Sequence, residues 1–223
     1  MCIVPKISQM RGIDIGCGKG YNTRIAHKKG AQMVGIDISK VFIEKAMEEE
    51  KHHRLGIKYK LVNAKNIPFN SDEFDFAIST MTFMDMTQLD KALKEIYRIV
   101  KSGGFFQFSI LHPYYSTPIH EWIKDREGNK NGLICGDYFN EMEGFIEEWI
   151  INAAPIELTK DMKKFKVPRF HRTLSIWFNT IFDVGFKLEK ISEPKATKEA
   201  IEKVPHLTDC NIVANFLIIS CRK

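Results

Sequence analysis

Apolar and polar residues alternate along the first half of the chain in two different rhythms. Ile13-Asp14-Ile15, Met33–Asp37, Ile57–Val62, Phe74–Ser79 and Phe105–Leu111 are short runs rich in β-branched and aromatic residues, bounded by Gly, Asp, Ser or Asn, and each predicts a strand. Between them the apolar positions recur at helical spacing. A short helix is predicted from about Asn22 to Lys29, with Gly30 as its left-handed cap. A second is capped by Ser39 and carries Phe42, Ile43, Ala46 and Met47, ending before Gly56. A third is capped by Thr87 and runs through Lys101, with Leu89, Ala92, Leu93, Ile96 and Val100 on one face, until Ser102-Gly103-Gly104 breaks it. Strands and helices alternating at this pitch predict βαβ units: an α/β, Rossmann-like doubly wound sheet, mostly parallel. Right-handed crossovers place every carboxyl end of the parallel strands on one edge, where ligands bind in such folds.

The second half departs from this rhythm. Pro113 to Pro168 is long for a connection and contains Tyr114, Tyr115, Trp122, Tyr138, Phe139, Phe145 and Trp149 around a turn-rich Glu127–Gly132. A helix resumes near Thr173, with Leu174, Trp177, Phe178, Ile181 and Phe182 apolar, and stops at Gly185. Two strands, Phe186–Ile191 and Ile212–Ser220, are expected to close the sheet. A single domain over residues 1–223 is expected, with 113–170 as a lid-like insertion after the fifth strand.

Composition narrows the class only modestly. The balance of 33 Lys and Arg against 28 Asp and Glu leaves a net charge of +5, but the basic residues are scattered, so nucleic acid is not an expected partner. No run reaches the ~18 apolar residues of a membrane span, and the opening Met1–Lys6 has no secretory pattern. The five cysteines, Cys2, Cys17, Cys135, Cys210 and Cys221, form no paired or metal-ligating spacing and fit a reducing cytoplasm. His52-His53 lies in a charged helix tail and reads as surface, so no metal is expected.

The sharpest chemical signal is Asp14-Ile15-Gly16-Cys17-Gly18-Lys19-Gly20, followed by Asp37 at the tip of the next strand. Alternate glycines allow a tight turn and close approach of a ligand, next to the free N–H groups of a helix start. Asp37 is placed to accept hydrogen bonds from both ribose hydroxyls of an adenosine. Dinucleotides and S-adenosylmethionine both use such a geometry. The GxGxG spacing and the carboxylate of Asp14, which would repel a pyrophosphate, favour the ligand carrying an ammonium and a sulfonium.

With these motifs the sequence resembles the class I S-adenosylmethionine-dependent methyltransferases. Ile13–Gly20 is similar to the family's first motif, Gly35–Ser39 to its ribose-binding strand end, and Val62–Phe69 to its adenine-binding segment. Phe74–Ser79 and Leu93–Gly104 resemble its fourth strand and the helix and turn before the fifth. Ser109–Pro113, His171–Ser175, Gly185-Phe186 and Ser192–Pro194 are similar to a subgroup of unassigned substrate. The resemblance implies S-adenosyl-L-methionine as cofactor and a small-molecule methyl acceptor. It implies that Gly16, Gly18 and Gly20 line the methionine and ribose portions, while Asp14 orders the loop and orients the amino-acid end. Asp37 would hold the ribose and Ile38 cover one face of adenine. Asn63, where the family usually has Asp, and the backbone N–H of Ala64 would read the adenine edge, with Ser79 and Thr80 beside the methionine moiety. Family members usually carry a longer stretch before the first strand, so either the insertion supplies the whole lid or the chain is a shortened form with weakened binding.

Methyl transfer from a sulfonium requires positioning and exclusion of water, and a base only when the acceptor is protonated. His112, ending the fifth strand, is a candidate base or else orders the Pro113 turn. His171, with Arg172 beside it, is a candidate substrate contact or else a brace between lid and sheet. The insertion's aromatics form either an acceptor box or the lid's own core. A methyltransferase acting on RNA or protein, and a non-catalytic subunit keeping the fold, stand as alternative functions.

Overall fold

In the computed structural model, residues 6–149 and 165–223 are described. A seven-stranded sheet forms the centre, in the order β10-β11-β5-β4-β1-β2-β3. Its parallel part is β1 (Arg11–Ile15), β2 (Gln32–Asp37), β3 (Lys58–Leu61), β4 (Phe74–Thr80) and β5 (Val100–Leu111). Strand order reverses between β1 and β4, creating the crevice at their carboxyl ends where ligands bind in open α/β sheets. β11 (Phe216–Arg222) runs antiparallel to β5 and is flanked by β10 (Lys187–Ser192).

Alternation along β5 splits its side chains between the two faces. Phe106, Phe108 and Ile110 face a core shared with helix α3 (Leu89–Ile99) and helix α4 (Leu174–Val184), including Leu93, Ile96, Trp177 and Ile181. Phe105 faces the other side with Phe76, beneath α1 (Tyr21–Lys28) and α2 (Lys40–His53), whose Ala26, Ile43 and Ala46 complete that layer. The Phe76 and Phe105 rings stack at 5.1 Å.

The expected strands and helices appear, with displaced boundaries where local chemistry intervenes. Ser39 caps α2 by accepting from the Phe42 N–H at 3.4 Å, and Gly30 is left-handed after α1. Thr87 does not cap α3: its hydroxyl accepts from Lys65 Nζ at 3.3 Å, and Gln88, left-handed at φ 53°, takes the capping position. α3 ends at Ile99 rather than Lys101 because Val100 already pairs with Phe74 in the sheet. The last strand spans Phe216–Arg222 rather than 212–220. Before it come a short helix, α5 (Lys198–Lys203), and a 3-10 turn (Pro205–Asn211), which the sequence pattern does not announce because α5 buries no residue.

The insertion is built from antiparallel pairs: β6 (Ile119–Lys124) with β7 (Lys130–Gly136), and β8 (Met142–Trp149) with β9 (Phe165–His171). The side chains of Phe145 and Trp149, and residues 150–164, lie outside the described residues. β9 packs against the 3-10 turn Phe83–Asp85 that follows β4, which sets the insertion over the carboxyl edge.

Phe106 is fully buried and touches Phe108 at 5.0 Å and Phe83 at 5.5 Å between ring centroids. Phe106→Ala is expected to destabilise the fold by about 3–5 kcal/mol, seen as a lower denaturant midpoint in an unfolding titration.

Candidate functional site

The glycine loop is held from both sides of the switch point. At the end of β1 the N–H groups of Gly16 and Cys17 both donate to the Ile36 carbonyl, at 2.8 and 2.9 Å. Gly16, Gly18 and Gly20 all take left-handed conformations, at φ 68°, 54° and 77°. A Cβ at Gly16 would lie 2.2 Å from Thr82 Cγ2, and one at Gly20 would lie 2.4 Å from Tyr59 Oη. A Cβ at Gly18 would meet no protein atom within 4 Å, so this glycine has open space on that side.

Asp37 joins this loop to the next helix. Its Oδ2 accepts from the Gly18 N–H at 2.9 Å and its Oδ1 from the Ser39 N–H at 2.8 Å. Each carboxylate oxygen retains lone-pair capacity for a further donor, which is what a pair of ribose hydroxyls requires. Asp14 is buried one strand away and accepts from Thr23 Oγ at 2.6 Å, fastening α1 to β1. Burial pushes its carboxyl up to about 7, with Thr23 opposing and the negative charge of Asp37 adding to the rise.

The other expected residues line the same edge. Ile38 is 70% exposed, an unusual state for isoleucine and one that suits an apolar platform for a ring. Asn63 closes a tight turn by accepting from the Lys65 N–H at 3.0 Å, which leaves its amide donors outward, and Ala64 is buried behind it. Ser79 donates to the Ile15 carbonyl at 2.7 Å and pins β4 to β1, while Thr80 is exposed at the tip. Sequence reasoning missed Thr23 and Thr82. Thr23 carries a local signal, a hydroxyl on the inner side of the first turn after the loop. Thr82, whose Oγ lies 3.2 Å from the Gly16 carbonyl, carries none, because that contact spans 66 residues.

His112 and His171 lie in the contacts between insertion and core. His112 is buried; its Nδ1 accepts from the Tyr114 N–H at 3.2 Å, so the ring proton sits on Nε2, 3.0 Å from Glu193 Oε1. Burial lowers its pKa, with the Glu193 carboxylate opposing. The ring stacks on Tyr114, which stacks on Tyr138 at 4.7 Å. His171 Nε2 lies 2.8 Å from the Tyr138 carbonyl, and the Tyr138 hydroxyl accepts from the Leu174 N–H at 2.8 Å. Arg172 donates to the Met86 carbonyl at 2.5 Å and lies over Trp177. Farther along the insertion, Lys130 pairs with Asp209 while lying 4.5 Å over the Trp122 ring. The described aromatics thus form one network, Tyr114 with Tyr138 and Phe139, and a second, Tyr115 with His120 and Trp122. Among the described residues no cluster of His, Cys, Asp or Glu is suited to a metal, and no helix is long and apolar enough to cross a membrane.

Asp14 gives the fold a specific pH dependence. Its folded-state pKa of about 7 lies above the ordinary value of 3.8, so the folded chain keeps a proton that the unfolded chain releases. Stability therefore falls as pH rises from about 4 to about 7, by on the order of 4 kcal/mol. Asp14→Asn is expected to flatten that fall, measured as Tm against pH.

Residues 13–108 match the methyltransferase domain family. The malonyl-[acyl-carrier protein] O-methyltransferase of Salmonella typhimurium is 30% identical over 99 residues, 44% of this chain and 38% of that protein. Phthiotriol/phenolphthiotriol dimycocerosates methyltransferase 1 of Mycobacterium ulcerans is 27% identical over 128 residues, 56% of this chain and 45% of that protein. The chain thus spans less than half the length of either curated relative. A solved S-adenosylmethionine-dependent methyltransferase from Mesorhizobium loti superposes with a TM-score of 0.79 at 25% identity, covering 99% of this chain and 94% of that one. The glycine loop, the acid at the second strand's tip and these likenesses agree: residues 13–108 carry a methyltransferase domain, and the fold is that of S-adenosylmethionine-dependent methyltransferases, which implies S-adenosyl-L-methionine as the cofactor.

Proposed function

We propose that this protein is an enzyme that methylates a small-molecule acceptor. The observation that carries the reading is the doubly anchored Asp37 carboxylate beside the open side of Gly18. Bound there, S-adenosyl-L-methionine supplies a methyl group activated by sulfonium for in-line displacement. The chain's own residues position it. Asp37 holds the ribose hydroxyls, Ile38 covers an adenine face, and Asn63 with the Ala64 N–H meets the adenine edge. Gly16, Gly18 and Gly20 line the methionine and ribose portions, and Ser79 and Thr80 flank the methionine. Asp14, through Thr23, fixes the loop.

The curated relatives are named for a malonyl-[acyl-carrier protein] and for phthiotriol and phenolphthiotriol dimycocerosates. Only the coarser property, an acceptor smaller than a nucleic acid or a folded protein, is carried to this chain. We read the insertion, 113–170 in the sequence, as the lid of a single domain. We assign His112 and His171 to bracing that lid. With its proton on Nε2 directed at Glu193 and Nδ1 filled by a backbone N–H, His112 has no lone pair to accept a proton. The acceptor is then one that reacts without losing a proton to these histidines, or that loses it to water.

Calorimetric titration with S-adenosyl-L-methionine tests the cofactor site. Removing a charged acceptor loses about 1.5–3 kcal/mol, so Asp37→Ala should weaken binding about tenfold or more; unchanged affinity would overturn the ribose role. Labelled methyl incorporation into a metabolite extract tests the activity, and a protein that binds the cofactor without turnover would return the non-catalytic subunit. For the brace, His112→Ala should lower Tm while methyl transfer falls by less than tenfold. A loss of about a hundredfold at unchanged Tm would restore the general base.

A further inference from the structure

On β5 the inner face beneath α1 changes character along its length. Phe105 is apolar, but the next residues on that face are Gln107 and Ser109. Their sheet neighbours are Ile78 and Thr80 on β4, and Ser220 and Ile218 on β11. The opposite face of the same strands, Phe106, Phe108, Ile110, Leu217 and Ile219, stays wholly apolar. A buried strand face that turns polar towards the functional edge breaks the pattern that would best stabilise the sheet, and such breaks mark sites.

Gln107 is the clearest break. Its side chain is 94% buried, from a residual exposure of 6%, and its Oε1 has neither solvent nor a hydrogen-bond partner. Buried amides are normally satisfied. Gln107 lines a cavity of about 100 Å³ together with Asn22, Ser79, Thr80, Ser109 and Ile218. That space exceeds what one water needs and suits a small polar group. Asn22 comes from the start of helix α1, just past the glycine loop, and Ser79 and Thr80 from the tip of β4, so the cavity adjoins the crevice. Among the described residues no charged side chain lines it.

We propose that this cavity is the recognition pocket for the methyl acceptor, and that it takes a neutral hydrogen-bonding group, an amide or a hydroxyl, with Gln107 as the specificity-determining residue. The proposal rests on the methyltransferase reading of the adjoining site. The polar side chains of the described lining are the amides of Asn22 and Gln107 and the hydroxyls of Ser79, Thr80 and Ser109, set among Ile78, Phe108 and Ile218. A carboxylate, phosphate or ammonium would be buried without a counter-charge, which is strongly unfavourable, whereas a neutral amide or hydroxyl can exchange hydrogen bonds with the amides and hydroxyls around it. Discrimination of this kind is large when a buried polar group would otherwise be left unpaired.

The test is an NMR titration of the full chain saturated with S-adenosylhomocysteine, whose affinity is measured separately by calorimetry. The probes are propionamide, 1-propanol, propionate and propylamine. Propionamide and 1-propanol should shift the Thr80, Gln107 and Ser109 resonances at least about tenfold more tightly than the two charged probes. Gln107→Leu should lose the propionamide response at least tenfold, and a S-adenosylhomocysteine affinity close to that of the parent certifies that the variant is folded. Should it misfold, Gln107→Glu serves, with the propionamide response again lost. Equal binding of propionate or propylamine, or an unaltered propionamide response in the folded variants, overturns the proposal. Failure of S-adenosylhomocysteine to bind would instead sink the methyltransferase reading on which it rests.

Discussion

The carboxylate of Asp37 is the constraint on which the site depends. Three left-handed glycines in five residues make a loop that no intrinsic preference would hold in one shape, because glycine loses more freedom on ordering than any other residue. Asp37 restrains that loop at its middle, through the Gly18 N–H, and with its other oxygen fixes Ser39, which caps α2. One ionised side chain therefore sets the glycine loop and the next helix in a common frame. Charge-assisted hydrogen bonds to backbone N–H groups are stronger than neutral ones. Asp37 can act in this way because β2 lies between β1 and β3 in parallel register, with Asp37 paired to Leu61 at the sheet edge. The pocket is thus preformed by the sheet before any ligand arrives.

Core and insertion are held by different physics. The face of the sheet beneath α3 and α4 is an aromatic and aliphatic layer, and Phe74, Phe76, Phe83, Phe105, Phe106 and Phe108 are all but inaccessible. The insertion, by contrast, leaves Tyr114, Ile119, Ile123, Ile134 and Phe139 substantially exposed and is tied down at separate polar points: His112 with Glu193, Lys130 with Asp209, and Arg172 with the Met86 carbonyl. Segments held by few contacts and exposed hydrogen bonds open at lower free energy than a packed core.

Much of this was legible in the sequence, and the reasons for success and failure differ by residue. β1, β2 and β4 are buried parallel strands, so they read as continuous apolar runs stopped by Gly, Asp or Ser, and their limits fall within two residues of expectation. Asp14, the glycines and Asp37 are legible because a tight turn and a strand-tip acid leave a local imprint. What the sequence does not display is anything decided by a distant partner. Thr87 has the chemistry of a cap, but Lys65 takes its hydroxyl. The role of His112 turns on Glu193, which lies beyond β10, and on a backbone N–H two residues away. β6 and β7 are exposed on both faces along most of their length, so no alternation betrays them, and α5 has no apolar stripe to find.

The position of β11 also governs how the chain reaches this state. It comes well after β5 in the chain, yet it sits inside the sheet, with Phe216 beside Leu111 and Arg222 beside Phe105. Until those residues leave the ribosome, β5 presents a bare hydrogen-bonding edge and Phe106, Phe108 and Ile110 lack the cover of Leu217, Ile219 and Cys221. Such distant pairing is slow, and the waiting edge is open to the wrong strand. A chain made from its N-terminus therefore cannot complete this sheet until β11 has been synthesised, long after β5.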